Sequence, residues 1–328
     1  MLTRRDLGLV LAGAGSATAA HGQTPLAQAP FPDRPVRLLV GFPPGGTVDT
    51  IARIIAPPIS ARLGQPLVIE NRGGAAGVLA VEATARAAPD GHTIILASAG
   101  ALAVIPHMQS NMPYDVFRDI APVSRVVSTP QLLVVGRHVA AQSVQDLVRL
   151  ARERPGRLTF GSTGSGSTLH LAGELFRMRA GIDILHVPYR GGAPAVTAML
   201  AGEIDMLLVD IPVVMAHVQS GAFRALALAA ERRIGVLPEV PTIAEAGVPG
   251  VVAEGWYAAY APAGTPAPRI ATLNRAIAEG LALEETQRAL ANLGGVVQAS
   301  SPEDLTAFLR AEHAKWGEVV RASGATMN

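Results

Sequence analysis

Val36-Arg37-Leu38-Leu39-Val40-Gly41-Phe42-Pro43-Pro44-Gly45-Gly46-Thr47 and, mid-chain, Leu158-Thr159-Phe160-Gly161-Ser162-Thr163-Gly164-Ser165-Gly166-Ser167-Thr168 follow one pattern. Each is a short apolar run that ends in a glycine-rich loop and gives way to a helical periodicity. An apolar run without alternation reads as a strand buried on both faces, which belongs in a parallel sheet. A loop of this kind leaves the first amides of the following helix free, and with the helix dipole they favour an anion.

Working outward, the same alternation recurs. Thr47 to Leu63 reads as a helix disturbed at Pro57-Pro58, Leu67 to Glu70 as a strand, Val78 to Ala87 as a helix and Thr93 to Ala97 as a strand. Later, Ser143 with Asp146 forms a capping box for a helix that carries Val144, Leu147, Val148 and Ala151 on one face. A helix follows from Leu169 to Ala180, with strands at Ile184 to Val187, Asp205 to Val209 and Arg224 to Leu228, and Ser301-Pro302-Glu303-Asp304 starts the last helix. Strands alternating with helices predict an α/β fold. One glycine loop in each half predicts two lobes that close both helix N-termini onto a ligand.

The chain has 328 residues, 49% hydrophobic, enough for two ordinary cores. A net charge of +1 without a basic run argues against a nucleic-acid partner. Cysteine is absent, which excludes disulfides, thiolate metal sites, cysteine nucleophiles and a lipidated cysteine. Arg4 and Arg5 precede an apolar run from Leu7 through Ala20, shorter than the roughly 20 residues of a membrane span. Residues 1–29 therefore read as an export signal, and Thr3-Arg4-Arg5-Asp6-Leu7 resembles the twin-arginine type, with an ordinary secretory signal as the alternative. The expected product is soluble and periplasmic.

Catalytic patterns fail at specific residues. Gly161 and Gly166 have the spacing of a nucleotide-triphosphate loop, but Ser167 occupies the lysine position, and Gly45-Gly46 lacks its later partner glycines. No serine has glycines two before and two after it, as a hydrolase elbow requires. His92, His107, His138, His170, His186 and His217 show no zinc spacing, so neither metal nor cofactor is expected. Asp49 has two readings, as an acid complementing the helix dipole or as an organiser of the loop that contacts a ligand amine or water. Arg190 likewise reads as a carboxylate clamp or as a solvated turn residue.

A longer set of segments resembles one family. They are Gly41-Phe42-Pro43-Pro44-Gly45-Gly46 with Asp49, Leu63-Gly64-Gln65-Pro66, Val68-Ile69-Glu70-Asn71-Arg72 and Pro89-Asp90-Gly91-His92-Thr93. Met112-Pro113-Tyr114-Asp115, Leu171-Ala172-Gly173-Glu174, His186-Val187-Pro188-Tyr189-Arg190-Gly191, Gly202-Glu203-Ile204-Asp205 and Pro238-Glu239-Val240-Pro241-Thr242 follow in order. This set resembles the Bug-type receptors of tripartite tricarboxylate transporters, from about Phe31 to the C-terminus.

The resemblance implies a two-lobed periplasmic-binding-protein fold of type II character, each lobe a mainly parallel sheet flanked by helices. Residues 30–128 and 253–328 would form lobe 1, and 129–252 lobe 2. It implies a monomeric, non-enzymatic receptor for a small organic carboxylate, working with one large and one small membrane subunit. A sensor component, or a hydrolase or isomerase with Asp49, Asp205 or His170 as base, are the competing readings. The implied ligand contacts are Phe42, Gly46, Thr47 and Asp49 on one side and Ser162, Gly164, Ser167 and Thr168 on the other. Ser98, Arg190 and Asp205 flank them. Ile105-Pro106 and Val209-Asp210 depart from the family's usual residues, and from these an aromatic or longer aliphatic acid is expected.

Overall fold

The computed structural model describes residues 31–323. The chain opens with β1 (Val36–Val40), α1 (Thr47–Leu63), β2 (Leu67–Asn71), α2 (Val78–Ala85) and β3 (Thr93–Ser98). After a helical turn at Gly100–Val104 comes the long strand β4 (Ile120–Gly136). The middle of the chain supplies α3 (Val144–Glu153), β5 (Thr159–Ser162), α4 (Thr168–Ala180), β6 (Leu185–Pro188) and α5 (Gly192–Leu200). It continues with β7 (Met206–Asp210), α6 (Ile211–Gln219) and β8 (Phe223–Ala229). The chain then returns through β9 (Glu254–Pro262), α7 (Ala267–Leu281), α8 (Glu284–Asn292), β10 (Val296–Val297) and α9 (Pro302–Ser323).

Two parallel triplets carry the α/β character. β1 lies between β2 and β3, and β5 lies between β6 and β7, all in parallel register. Antiparallel strands join the triplets. β9 pairs with β3 and with β4 from Ile120 to Pro130, while β4 from Gln131 onward pairs with β7 and β8. One 17-residue strand thus serves both sheets and changes partners between Pro130 and Gln131.

The two faces of this crossing differ. Alternation puts Thr129, Gln131 and Leu133 on one face, and Ser128, Pro130 and Leu132 on the other. The reverse face, with Ser128, Pro130 and Trp256, opens on a cavity of about 520 Å³ also lined by Arg125, Phe308 and Lys315.

Pro57 and Pro58 do not interrupt α1, which runs unbroken to its left-handed cap at Gly64. Each proline removes an amide that would bond four residues back. The carbonyls so released belong to exposed Arg53 and half-buried Ile54, on the outer side of the helix. The Ser143 cap is present as expected, with the Asp146 amide donating to Ser143 Oγ at 3.1 Å and the four apolar residues of α3 buried, while the Asp146 carboxylate reaches one residue further back, to the Gln142 amide at 3.1 Å. Gly173 has a packing reason: a Cβ there would lie 2.2 Å from the Phe160 ring, so glycine lets α4 settle on β5.

The C-terminal helix is fastened by a buried acid. Glu312 Oε2 accepts hydrogen bonds from the indoles of Trp256 on β9 and Trp316 on α9, both at 2.9 Å, and Lys315 pairs with the other oxygen. Glu312→Leu removes the acceptor and strands two buried donors. Urea unfolding should show about 2–4 kcal/mol of lost stability at unchanged m-value. A loss under about 1 kcal/mol would mean that the indoles find water instead.

Candidate functional site

Both glycine loops open at the carboxyl ends of their parallel strands, the place where ligands bind in open α/β sheets. In the first, Gly46 caps α1 in an extended conformation and offers no side chain. The third helical residue, Asp49, reaches back to accept from the Gly45 amide at 2.9 Å. Asp49 is 1% exposed and also accepts from Arg53 Nε at 2.8 Å and Asn71 Nδ2 at 2.9 Å. The Arg53 hydrogen bond leads these interactions and, with the Gly45 and Asn71 bonds, holds the carboxyl down to about 2 against burial. Of its two readings, the structure supports the organiser of the loop. Asn71 also donates to the Phe42 carbonyl at 3.0 Å, fixing the loop's other arm.

The second loop repeats the device with a neutral residue. Ser167 caps α4 by accepting from the His170 amide, and the His170 ring, again third in its helix, accepts from the Gly166 amide through Nδ1 at 3.2 Å. Gly164 has φ +124°, which a side chain would strain. His170 stacks on His186 with ring centroids 3.8 Å apart, and His186 Nε2 lies 2.6 Å from Ser162 Oγ. Serine beside histidine has the composition of a nucleophile and base. Here, however, Ser162 is 0% exposed and its hydroxyl is engaged with Gly164, so the pair supports the loop. Burial holds His170 down to about 4, and burial with the adjacent His170 ring holds His186 down to about 3.

In both loops the glycine amide before the cap is satisfied by the third helical residue. The amides of Thr47 and Val48, and of Thr168 and Leu169, have no acceptor within their own helices. Asp210, the last residue of β7, lies beside the Thr47 hydroxyl of the first loop, and Tyr257 Oη donates to Asp210 Oδ2 at 3.4 Å. Burial pushes the Asp210 carboxyl up to about 6 despite both hydroxyls.

The expected site residues divide as follows. Phe42, Gly46, Thr47 and Asp49 belong to the first loop, and Ser162, Gly164, Ser167 and Thr168 to the second. Ser98 ends β3 in register with Tyr257. Arg190 is exposed on the turn between β6 and α5 and carries no ion pair among the described residues. Asp205 is corrected. It precedes β7, at the end of the strand remote from Asp210, and is occupied by the Thr159 amide at 2.7 Å and by His138 at 3.2 Å.

The expectation of an apolar ligand also loses its footing. Val209 and Ile105 are 1% and 0% exposed and belong to the hydrophobic cores, so neither presents apolar surface to a ligand. Sequence reasoning missed Gln131 and Tyr257. Each lies in a strand of ordinary composition, and only the crossing of β4 and β9 brings them to Asp210.

Two sheets joined by crossing strands, with a helix N-terminus from each facing the junction, define the two-lobed solute-binding proteins. The profile of the tripartite tricarboxylate transporter family receptor matches residues 51–325, and the chain belongs to this family, with Bug-type relatives. Protein BugT of Bordetella pertussis is 38% identical over 322 residues, 98% of this chain and 97% of BugT. Among solved structures, R. palustris Rpa4515 with adipate superposes with a TM-score of 0.85 at 35% identity, covering 91% of this chain and 100% of that one. MatC from Rhodopseudomonas palustris with bound malate superposes with a TM-score of 0.79 at 32% identity, covering 88% of this chain and all of that one. No helix among the described residues is long and apolar enough to cross a membrane. The signal-type segment, residues 1–29, lies outside the described residues.

The histidine pair gives a pH test. Unfolded histidines take up protons below their ordinary value near 6.5, whereas these rings stay neutral until about 4 and about 3. Stability contributed by the pair therefore falls as pH drops from about 6.5 to about 4. Urea midpoints of the parent and of His186→Gln across that window should differ in slope by about one proton per molecule. Identical slopes would show that His186 is protonated in the fold.

Proposed function

We propose that this protein is a periplasmic receptor that captures a small organic carboxylate between its two lobes and presents the closed form to a membrane transporter. The observation that carries this reading is the pair of glycine loops. Each holds a helix N-terminus at the carboxyl end of a parallel strand, and Asp210 at the end of β7 sets the second sheet beside Thr47 of the first loop. Helix amides without acceptors and two aligned dipoles favour an anion. The adipate and malate in the named relatives support a carboxylate.

In this reading residues 30–128 and 253–328 form lobe 1, residues 129–252 form lobe 2, and β4 and β9 form the hinge. Gly46, Thr47, Gly164, Ser167 and Thr168 hold one carboxylate of the ligand, with Ser162 fixing the second loop from beneath. Asp49 and His170 keep the loops in shape, while Phe42, Ser98 and Arg190 border the ligand. The receptor is an exported, soluble, unlipidated monomer without a cofactor or catalysis, and its membrane partners are one large and one small integral subunit. Ligand affinity arises from stabilising the closed arrangement, which the partner reads.

A thermal-shift screen of the mature protein against mono-, di- and tricarboxylates tests the reading. A ligand at about 100 times its dissociation constant adds about 2.7 kcal/mol of stability. One acid class should raise Tm, be recovered chemically unchanged, and bind about five- to tenfold more weakly to Thr47→Val. Turnover of the bound acid, or no shift with any carboxylate, would overturn the proposal.

A further inference from the structure

Three buried polar atoms at the crossing lack a partner: Gln131 Oε1, Gln131 Nε2 and Asp210 Oδ1. Their residues are 0% and 8% exposed, so water reaches neither freely. Buried polar side chains without partners are uncommon and destabilising, and one accounts for them by asking what they are kept for. The two residues are directly opposite in the β4–β7 ladder, so their side chains share a face. That face carries Thr129 and Tyr257, and it meets the first glycine loop at Thr47. Gly255 lets these side chains close up on the backbone, since a Cβ there would lie 2.7 Å from Thr129 Oγ1 and 3.4 Å from Asp210 Oδ1.

Acceptors outnumber donors in this corner, where Gln131 Nε2 is the one unpartnered donor among the three atoms. Asp210 has hydroxyls for company and no ion-pair partner among the described residues. Its free oxygen and Gln131 Oε1 are acceptors, and a second ligand carboxylate would face a carboxylate across them. A hydroxyl or ammonium group would satisfy both acceptors at once.

Resting on the carboxylate-receptor reading above, we propose that Gln131 and Asp210 form a subsite for the far end of the ligand. This subsite selects a carboxylate whose other end is a hydrogen-bond donor, a hydroxyl or an ammonium, over a dicarboxylate. The glycine loops hold the carboxylate, and Asp210 and Gln131 read what lies beyond it.

The test is calorimetric binding to the mature protein near pH 8, where a free aspartate is ionised. One set is hexanoate, adipate and the hydroxy- and amino-terminated hexanoates; the second is butyrate, succinate and the corresponding butyrates. In the set that binds, a donor-terminated acid should be held about tenfold or more tighter than both the dicarboxylate and the unsubstituted acid. The tighter of the hydroxy and amino forms identifies the donor. Asp210→Asn should reduce that preference, measured as the ratio of the two affinities, about tenfold. Gln131→Leu, an independent change, should reduce it in the same direction. A dicarboxylate or unsubstituted acid bound as tightly as the donor-terminated acid overturns this inference alone, as does a preference that folded Asp210→Asn and Gln131→Leu both retain. Silence from every acid in both sets, dicarboxylates included, overturns the receptor reading beneath it.

Discussion

The structure depends on one strand changing partners. β4 gives its backbone to β9 as far as Pro130 and to β7 and β8 from Gln131, and there is no second copy of that strand for either sheet. Proline at the last position before the change has no amide to donate, so the ladder is thinned where the chain leaves the first sheet. The two parallel triplets are each complete βα units; β9 borders the first at β3, β4 borders the second at β7, and the β4–β9 ladder is what joins them. Register along this single strand therefore sets where both glycine loops stand relative to each other. It also sets Gln131 against Asp210 and Thr129 beside Tyr257.

Both loops then solve the same local problem with different chemistry. A glycine-rich turn has no side chain to hold it, so the third residue of each helix bonds back to the glycine amide before the cap. In the first loop that residue is an aspartate, kept ionised by Arg53 and Asn71. In the second it is a histidine, kept neutral by burial. An acid in both places would put two fixed negative charges beneath a site suited to an anion. With Asp49 neutralised by Arg53 and His170 uncharged, the potential at the helix N-termini is left to the amides and dipoles.

Much of this was legible in the sequence, for reasons that can be named. The strand-loop-helix pattern showed because parallel strands buried on both faces are apolar without alternation, and the glycines mark where the backbone must turn. The helix cap at Ser143 and Asp146 was legible because it is a contact three residues apart. Gln131 was not, since nothing in Thr129-Pro130-Gln131-Leu132 distinguishes a strand that switches sheets from one that ends. Asp205 misled because an acid beside a strand looks the same from either end; only the pairing shows that it sits at the start of β7, bonded to Thr159. Val209 and Ile105 misled because a residue beside a candidate contact points elsewhere, to the opposite face on a strand and about 100° round on a helix, and these two face the core. Pro57-Pro58 looked disruptive because a sequence does not show that the freed carbonyls belong to residues on the outer side of the helix.

The cavity behind the crossing has a mechanical meaning. Glu231 and Val252 wall it from one sheet's side, and Val296, Phe308 and Lys315 from the other's, with Trp256 and Ser128 as its floor. In the receptor reading β4 and β9 would act as a fulcrum with this space behind them, and a rotation that narrowed the front would widen the back. A bulky group lodged against Trp256 would work as a wedge, holding the front shut from a surface that no captured molecule ever touches.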